Sequence, residues 1–345
     1  MERLFSTEQV SKWHPDKYAD QISDAILTEC LKQDESSHVA VETLVKGDAV
    51  VVAGEVTTGA IVDYEGIVRN VGAKLGYEVG AVLNLISEQS KEINRAVTAR
   101  KTLCAGDQGM MFGFACRGGN NLPYGFSLAN DLVKAIENKV PEGVLKGDAK
   151  VQITTNLQSN GTRYDWEKPV DTVLISACHE SRYGLEEVRR YLRDIWESLG
   201  IYARRVLLNP SGVWTHGGPS ADCGLTGRKI VCDQYGGYVP VGGGAFSGKD
   251  PTKVDRTGAY MARYVARKVI DEFDLDWCEV QLAYAIGVAQ PVSVHVRTNE
   301  GNFIGQYKKW VLDNFDFSVE GMINELDLLH QNYENIAEGC HMLWF

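Results

Sequence analysis

The sequence predicts an α/β fold of the α+β type, built as three successive α/β units, and three observations support that prediction. The chain has 345 residues, a length that ordinarily forms two or three domains. Its composition, 44% hydrophobic and 23% charged, is typical of a globular protein with a substantial core. Segments with strand periodicity alternate with segments of helical periodicity along the chain, which indicates helices layered on sheets.

The first unit, residues 1–100, begins with an amphipathic helix near Lys17–Lys32, where apolar side chains recur at helical spacing. Two apolar strands are predicted next, Val39–Lys46 and Ala49–Thr58, with Gly47 in the tight hairpin turn between them. A second helix is predicted near Asp63–Leu75. This unit should therefore pack two helices on a hairpin-based sheet.

The central unit, residues 101–222, and the C-terminal unit, residues 223–345, continue the alternation. A polar, irregular stretch at Ser90–Gly109 separates the first two units and has the length of a lid loop. The remaining predicted elements are the helix Ser127–Asn138, the strands Lys150–Gln158 and Thr172–Cys178, the helix Gly184–Ser198, the helix Gly258–Phe273, the strand Val280–Val288 and a final helix near Val319–Leu329.

Charge and cysteine content exclude several classes of protein. A net charge of −11 provides no basic field for nucleic acid, so no nucleic-acid partner is expected. The eight cysteines show no C-x-x-C spacing, which predicts reduced and mostly buried thiols. No apolar run is long enough to span a bilayer, and the N-terminus carries no signal-peptide pattern. We therefore expect a cytoplasmic protein with no membrane partner.

The segment Gly242–Arg256 is the most informative motif because it combines glycines, lysines and aspartates in fifteen residues. Glycines let backbone N–H groups approach an anion, and an aspartate beside lysines can hold a divalent cation. Gly243 and Lys249 have the spacing of a P-loop, but Asp250 and Pro251 stand where that motif needs a magnesium-binding hydroxyl. The segment thus predicts a site for a metal-bound polyphosphate that is not a P-loop.

Two further segments place charged residues beside a predicted helix N-terminus or among glycines. His14-Pro15-Asp16-Lys17 precedes the first helix, where an anion is favoured, although it can also be an N-cap with an exposed histidine. Gly217–Lys229 places Asp222 shortly before Arg228-Lys229, which suits a phosphorylated ligand but also fits a domain linker.

Three smaller groups of residues leave structural and functional interpretations open. Glu42 and Glu55 lie on the two hairpin strands and are either buried near a cation or solvent-facing. Cys104–Gly109 is either a ligand-binding turn or a plain loop end. Asp148 and Lys150 form either a ligand contact or a surface ion pair.

Taken together, these segments resemble methionine adenosyltransferases, also called S-adenosylmethionine synthetases, from about Phe5 to Tyr333. The most specific blocks are His14-Pro15-Asp16-Lys17 with Asp20-Gln21 and Ser23-Asp24, Gly54-Glu55 with Thr57-Thr58, Ala105-Gly106-Asp107-Gln108-Gly109 with Met111-Phe112-Gly113, Asp222 with Gly224–Lys229, and Gly242–Arg256. Five blocks in the order of the family make coincidence implausible.

The resemblance implies the site residues and the ions. ATP would be contacted by His14, Asp148, Lys150, Trp214, Asp222, Arg228, Lys229, Ala245 and Lys249. Methionine would be contacted by Glu55, Gln89, Asp107, Asp222 and Lys253. Magnesium would be held by Asp16 and Asp255, with two Mg²⁺ expected per site, and potassium by Glu42. The residues expected to act in catalysis are His14, Arg228, Lys249 and Lys253.

The implied reaction agrees with these residue types. Methionine sulfur would attack the 5′-carbon of ATP to give S-adenosylmethionine and triphosphate, which is then hydrolysed to pyrophosphate and phosphate. A thioether has no proton to lose, so the step needs orientation and fixed positive charge rather than a base. The family's fold has three similar α/β units around a pseudo-threefold axis, with segments shared between units. It also implies a homodimer with active sites at the interface, with a dimer of dimers left open.

Several positions depart from the family pattern. They are Lys12-Trp13 for Glu-Gly, Lys91-Glu92 and Arg95-Ala96 for Pro-Asp and Gln-Gly, Val213 for a basic residue, Asn130-Asp131 for His-Arg, and Gln331 for proline. These changes leave two alternatives open at this stage. One is a relative with an altered acceptor or mainly polyphosphatase activity, and the other is a catalytically silent regulatory subunit.

Overall fold

The structure is a computed structural model that describes residues 4–88, 103–157, 170–300 and 304–345. Within these ranges it is a mixed α/β protein with three separate sheets. The strands are β1 Leu4–Val10, β2 His38–Lys46, β3 Ala49–Thr57, β4 Ala81–Ser87, β5 Gly109–Cys116, β6 Leu145–Asn156, β7 Val170–His179, β8 Ala203–Leu208, β9 Gly224–Leu225, β10 Trp277–Tyr284 and β11 Ser293–Thr298. The α-helices are α1 Pro15–Gln33, α2 Tyr64–Leu75, α3 Tyr124–Lys139, α4 Leu185–Glu197, α5 Ile230–Asp233, α6 Val254–Phe273, α7 Ile304–Asn314, α8 Val319–Glu325 and α9 Tyr333–Ile336.

Each sheet combines strands that are distant in sequence. The first sheet has the order β4-β3-β2-β9, the second β1-β6-β7-β8 and the third β11-β10-β5. Strand β9 thus joins the N-terminal hairpin, β1 joins the strands that follow residue 144, and β5 joins the C-terminal strands. The limits predicted for three linear units stay predictions, but the three-sheet architecture is the one that the sequence led us to expect.

Most of the predicted helices and strands are confirmed. Gly47 adopts φ +62° in the hairpin turn, as a tight turn requires. Two predictions near the C-terminal end were wrong in extent, since the strand predicted at Val280–Val288 ends at Tyr284 and the final helix ends at Glu325. A short 3₁₀ turn, Leu328–His330, and α9 follow that helix. Most of the predicted lid, residues 90–102, lies outside the described residues.

Sequence patterns missed several elements, namely β1, β4, β5, β8, β9, β11, α5, α7 and α9. Strand β4 shows why: its side chains are exposed or half-buried throughout, so it lacks the alternation that marks a strand packed on a core. Pairing with β3 in parallel register, and not its own pattern, makes it a strand.

Helix α1 runs through the larger of two hydrophobic cores. Ile22 and Ile26 are fully buried there, but so are the polar side chains Asp20 and Asp24 on the same helix. Buried carboxylates must find partners inside the protein, and α1 therefore organises polar contacts as well as apolar packing. The second core lies between α3, α4 and the strands β6–β8.

The cysteine prediction is confirmed, because all eight cysteines are buried or half-buried thiols. Among the described residues, no helix has both the length and the apolar composition required to cross a membrane.

Candidate active site

His14 caps the N-terminus of α1 and is almost fully buried. Its Nδ1 accepts a hydrogen bond from the backbone N–H of Asp16 at 3.1 Å, so the ring proton of the neutral form lies on Nε2. Burial, together with Lys229 and Lys150, lowers the pKa of His14 to about 3. The imidazole is therefore a neutral hydrogen-bond donor at physiological pH.

Three carboxylates, one helical turn apart on α1, hold the two glycine-rich loops. Positions i, i+4 and i+8 share one helix face, so the three side chains point the same way. Backbone N–H groups donate to them in three bonds: Leu225 to Asp16 at 3.0 Å, Gly227 to Asp20 at 2.9 Å and Gly248 to Asp24 at 2.8 Å. One helix therefore fixes both loops relative to each other.

The first cluster of polar side chains forms around Asp16. Lys229 Nζ lies 2.6 Å from Asp16 Oδ2, and Arg228 Nε lies 3.8 Å from Oδ1. Burial opposes ionisation of Asp16, but the hydrogen bonds from Lys229 and Leu225 outweigh it and lower its pKa. Asp16 thus stays ionised and keeps two cationic side chains next to His14.

Asp148, Lys150 and Asp222 complete the first cluster. Asp148 is buried and accepts the Gly218 N–H at 2.7 Å, while its Oδ1 has no hydrogen-bond partner. Burial raises the pKa of Asp148 to about 6, although Gly218 and Lys150 favour its ionised form. Lys150 and Asp222 both act electrostatically on His14, which places these predicted ATP residues in one neighbourhood.

Trp214 lies just before the glycine segment that Asp148 holds. It is half-buried, its indole N–H donates to the carbonyl of His216 at 2.6 Å, and its backbone N–H bonds to His179 Nε2 at 3.3 Å. His216 and Asp148 line one cavity of about 570 Å³. The structure thus brings the segment around Trp214 to the first cluster without a direct contact of its ring to His14 among those described.

The second cluster lies in the loop before α6 and in its first turn. Lys249 Nζ is 2.5 Å from Asp255 Oδ2, and Lys253 Nζ is 3.1 Å from the buried Asp250. Lys249 and Ala245 also line a cavity of about 270 Å³ together with Glu42 and Glu55. Both glutamates are exposed in the single chain, on the same side of the hairpin, and their proposed ligand roles stay predictions.

Two glycines allow the close packing that these clusters require. Gly227 has φ +77°, and a Cβ there would lie 2.5 Å from Cβ of Ala245 in the other loop. Gly248 has φ +81°, and a Cβ there would lie 1.9 Å from the carbonyl oxygen of Val41. Any larger residue would push the loops apart or off the first sheet.

Asp16 and Asp255, the residues expected to bind magnesium, are not in direct contact. Each is paired with its own lysine, and in the described ranges no three His, Cys, Asp or Glu side chains come together as a metal-binding group. Mg²⁺ usually takes only one or two carboxylates and completes its shell with phosphate oxygens and water. The donor chemistry therefore fits one carboxylate from each cluster with a polyphosphate between them.

Two predicted methionine contacts lie at or beyond the edge of the described residues. Asp107 is exposed, in the loop that leads into β5. The same loop reaches the second cluster, because a Cβ on Gly109 would lie 3.3 Å from Asp255 Oδ1. Gln89 lies outside the described residues, as do the altered positions Lys91, Glu92, Arg95 and Ala96.

Sequence reasoning gave no role to several buried ionic residues around α1. Lys17 Nζ lies 2.7 Å from Asp233 and 3.2 Å from Asp20, all inside the protein. Arg256 binds both carboxylate oxygens of Asp24. The repeat of aspartates every fourth residue on α1 was the available signal, but their partners lie more than 200 residues away.

Lys12 and Trp13, which depart from the family pattern, have structural partners. The Trp13 indole donates to the carbonyl of Leu75 at 3.0 Å, and its ring occupies the space that a Cβ on Gly147 would need. The Lys12 backbone N–H donates to Glu137 at 2.8 Å. Both residues fasten α1 to neighbouring elements, and neither takes the place of a residue of the first cluster.

In this mixed α/β fold, two glycine loops carry basic side chains and are held by carboxylates of one helix. These features are typical of the class of proteins that bind a polyanion such as a nucleoside triphosphate. Three family models match consecutive stretches of the chain: S-adenosylmethionine synthetase N-terminal domain at residues 2–100, central domain at 102–214 and C-terminal domain at 216–343. The chain belongs to the S-adenosylmethionine synthetase family. Its activity is accordingly that of a methionine adenosyltransferase, which forms S-adenosylmethionine from ATP and methionine. The family uses Mg²⁺ and K⁺.

Proposed function

We propose that the first and second clusters together form the active site for adenosyl transfer and for the hydrolysis of the triphosphate. The observation that carries this proposal is that Asp16, Asp20 and Asp24 fix each glycine loop to α1 of its own chain, so each cluster is in place before the substrate arrives. Within one chain Asp16 and Asp255 are each paired with their own lysine and do not touch, so a site can join the first cluster of one chain to the second cluster of its partner. Such preorganisation is the expected source of rate when the chemistry needs no base.

The first cluster would bind the nucleotide. Neutral His14 can donate from Nε2 to an oxygen at the 5′ end of the triphosphate, and Lys229 and Arg228 supply positive charge beside it. Asp148 and Asp222 offer acceptors for ribose hydroxyls or for the methionine amine, and Lys150 lies nearby. Trp214 offers an aromatic surface for adenine.

The second cluster would receive the departing triphosphate. Lys249 and Lys253 are four residues apart, and each is paired with an aspartate that fixes its position. Negative charge grows on the triphosphate as sulfur attacks, so fixed ammonium groups stabilise the transition state more than the ground state. Glu55, Asp107 and Lys253, with Gln89, would orient methionine for attack in line.

Magnesium and potassium have acceptable ligands in this arrangement. Asp16 and Asp255 would hold Mg²⁺ from opposite clusters, and Glu42 on the open face of the first sheet would contribute to a K⁺ site. When bound, Mg²⁺ would neutralise negative charge on the phosphate oxygens and strengthen the binding of the triphosphate to both clusters. Lys229 and Lys249 would then shift from the carboxylates toward the phosphates.

We further propose a homodimer in which each active site takes its first cluster from one chain and its second from the other. The outer face of the first sheet supports this. Leu44, Leu83 and Leu85 on that face are 38%, 52% and 56% exposed, and Ala53 lies between Glu42 and Leu85 in register. An apolar sheet face of this kind is typical of a protein–protein interface, and Glu42 and Glu55 would lie within it.

The sheet-face proposal predicts that Leu85→Lys weakens the dimer, because it places a charge in the interface. Sedimentation equilibrium should show a monomer at concentrations where the unmodified chain is dimeric. Ile61→Lys is the matched control, since Ile61 is 89% exposed and lies outside the three sheets. A Leu85→Lys chain that remains dimeric would contradict this assignment of the interface.

The activity itself is tested with purified chain, ATP, methionine and Mg²⁺, following S-adenosylmethionine and free phosphate separately. Both should form, and Lys253→Met should slow formation of the sulfonium product about 100-fold. Lys309→Met, an exposed lysine of α7, is the control that should change nothing. Phosphate release without the sulfonium product would contradict the proposal.

A cytoplasmic location, which we also propose, is supported by the eight thiols.

A further inference from the structure

Arg256 is the largest fully buried charged side chain beside the second cluster, and the proposed reaction does not use it. It follows Asp255 in the first turn of α6. Its Nη1 and Nη2 lie 2.7 and 2.6 Å from the two carboxylate oxygens of Asp24, in a bidentate pair. The centroid of the Tyr333 ring lies 4.3 Å from the guanidinium carbon of Arg256. A fully buried pair is weak evidence for stability alone, so another role needs to be considered.

The pair also binds the backbone that carries Lys249. Asp24 accepts the N–H of Gly248 at 2.8 Å, and Arg256 donates to the carbonyl of Lys249 at 3.1 Å. The backbone on both sides of Lys249 is therefore attached to one ion pair. Asp255, the partner of the Lys249 ammonium, is the residue next to Arg256 in the chain.

We propose that the Asp24–Arg256 pair is a positioning unit that sets the location of Lys249 and Asp255 for the triphosphate. The inference rests on the proposed function of those two residues. Because α1 carries Asp24 two turns after Asp16, the same pair also sets the second cluster relative to the helix that supports the first. Asp24 and Arg256 touch no substrate themselves and act through the loop.

The chain offers a matched control in Arg263. It is also buried on α6, but its guanidinium donates to the carbonyls of Phe114, Asn120, Asn121 and Met342, away from both clusters. Replacing either arginine by lysine removes hydrogen bonds from a buried site, so both variants should lower Tm. Only Arg256→Lys should also disturb Lys249 and Asp255.

We expect Arg256→Lys to lower kcat for adenosyl transfer and for triphosphate hydrolysis by about 100-fold, the loss typical of a displacement of reacting groups by about 1 Å. KM for methionine should change little. Arg263→Lys should keep the unmodified kcat per folded molecule. Equal kcat in the two folded variants, or a chain that Arg256→Lys leaves unfolded at 25 °C, would overturn the positioning role.

A double variant separates stability from positioning. Asp24→Leu with Arg256→Met replaces a buried ion pair by apolar side chains, which commonly restores stability. Its Tm should exceed that of Arg256→Met alone, while kcat stays low because the backbone contacts to Gly248 and Lys249 are lost. Recovery of kcat along with Tm would show that the pair is merely structural.

Calorimetry with inorganic tripolyphosphate and Mg²⁺ distinguishes failure of this inference from failure of the proposed function. The unmodified chain should bind tripolyphosphate, and Arg256→Lys should bind it more weakly. If the unmodified chain does not bind, the proposed site is wrong. If both bind equally, the site stands and the positioning role is wrong.

Discussion

The two clusters hold their cationic side chains in place by carboxylates from different parts of the chain. In the second cluster, Lys249 and Lys253 take their carboxylates from the same short segment, six and three residues away. In the first, Lys229 and Arg228 share Asp16, which lies 213 residues before Lys229. The second cluster is therefore a local structure on a buried support, while the first exists only when the chain has folded.

This difference has a consequence for charge. Asp16 alone holds two cations, Lys229 and Arg228, whereas each lysine of the second cluster has its own carboxylate. Loss of the Asp16 carboxylate would therefore release two cationic side chains at once, beside neutral His14. We expect substitutions at Asp16 to have larger effects than substitutions at any one residue of the second cluster.

Asp16→Asn should have the largest effect. It keeps the size of the side chain and an acceptor for Leu225, but removes the charge that holds Lys229 and Arg228 and that would bind Mg²⁺. We expect kcat/KM for ATP to fall about 100- to 1,000-fold, the range found when preorganised charge is removed. Asp276→Asn, an exposed position on another surface, is the control. An Asp16→Asn enzyme within a few-fold of normal would remove the first cluster from the active site.

Lys249→Met should have a smaller effect of about 100-fold, seen mainly in kcat because Lys249 would act on charge that develops in the transition state. It also leaves Asp255 without its ion-pair partner. Steady-state kinetics at saturating Mg²⁺ measures the loss. A change confined to KM for ATP would show that Lys249 binds the ground state and transition state equally, contrary to its proposed role.

Asp148 gives the first cluster a pH dependence that the second should lack. Its pKa is raised to about 6 by burial, so its carboxylate becomes protonated as pH falls through 6. If the ionised form accepts hydrogen bonds from ATP, kcat/KM for ATP should decline below pH 6. Asp148→Asn should lose this decline and show kcat/KM about 10-fold lower at pH 8. Titration of ATP is common to both enzymes, so an unchanged profile in the variant would contradict the assignment.

The titration of His14 should change stability rather than the pH dependence of the rate, and its effect is the smallest of these. Its pKa is lowered from 6.5 to about 3 in the folded chain, so the unfolded chain binds more protons between those values. The stability contributed by neutral His14 is complete above pH 6.5 and is lost as pH falls toward 3. Urea unfolding of His14→Asn at pH 8 and pH 5 should show a smaller acid loss than the unmodified chain.

The exposed His330 provides the opposite case. Hydrogen bonds to Asp327 and Glu35 raise its pKa, so its contribution is present at low pH and is lost as pH rises above 6.5. His330→Asn should therefore reduce stability at pH 5 and leave it unchanged at pH 8. The same sign of pH dependence for both histidine variants would contradict the buried, neutral state of His14.

The same contrast explains what the sequence alone could predict. Helix α1 and the hairpin of β2 and β3 depend on local patterns and were predicted from residues close together. Phosphate binding by Gly242–Arg256 was predicted in the same way and stays a prediction. The link between Asp16 and Lys229 entered only through resemblance to the family, because no spacing rule joins residues so far apart. Direct contact of Asp16 with Asp255 is not seen.

Other features were beyond sequence reasoning for a physical reason. Asp24 and Arg256 are 232 positions apart in the chain. Aspartate and arginine also form ion pairs on protein surfaces, so their residue types do not mark them as a buried pair. Strand β4 has no buried face to mark it. The exposure of Glu42 and Glu55 depends on what covers the first sheet, which a single chain does not determine.

The central claim is that each active site joins the first cluster of one chain to the second cluster of its partner. Co-expression of differently tagged Asp16→Asn and Lys249→Met chains, followed by purification of the mixed dimer, tests it most directly. One of the two sites would then contain both substitutions and the other neither, so the account predicts about half the activity of the unmodified dimer. A mixed dimer as inactive as either parent would contradict it, because both clusters of each site would then come from the same chain.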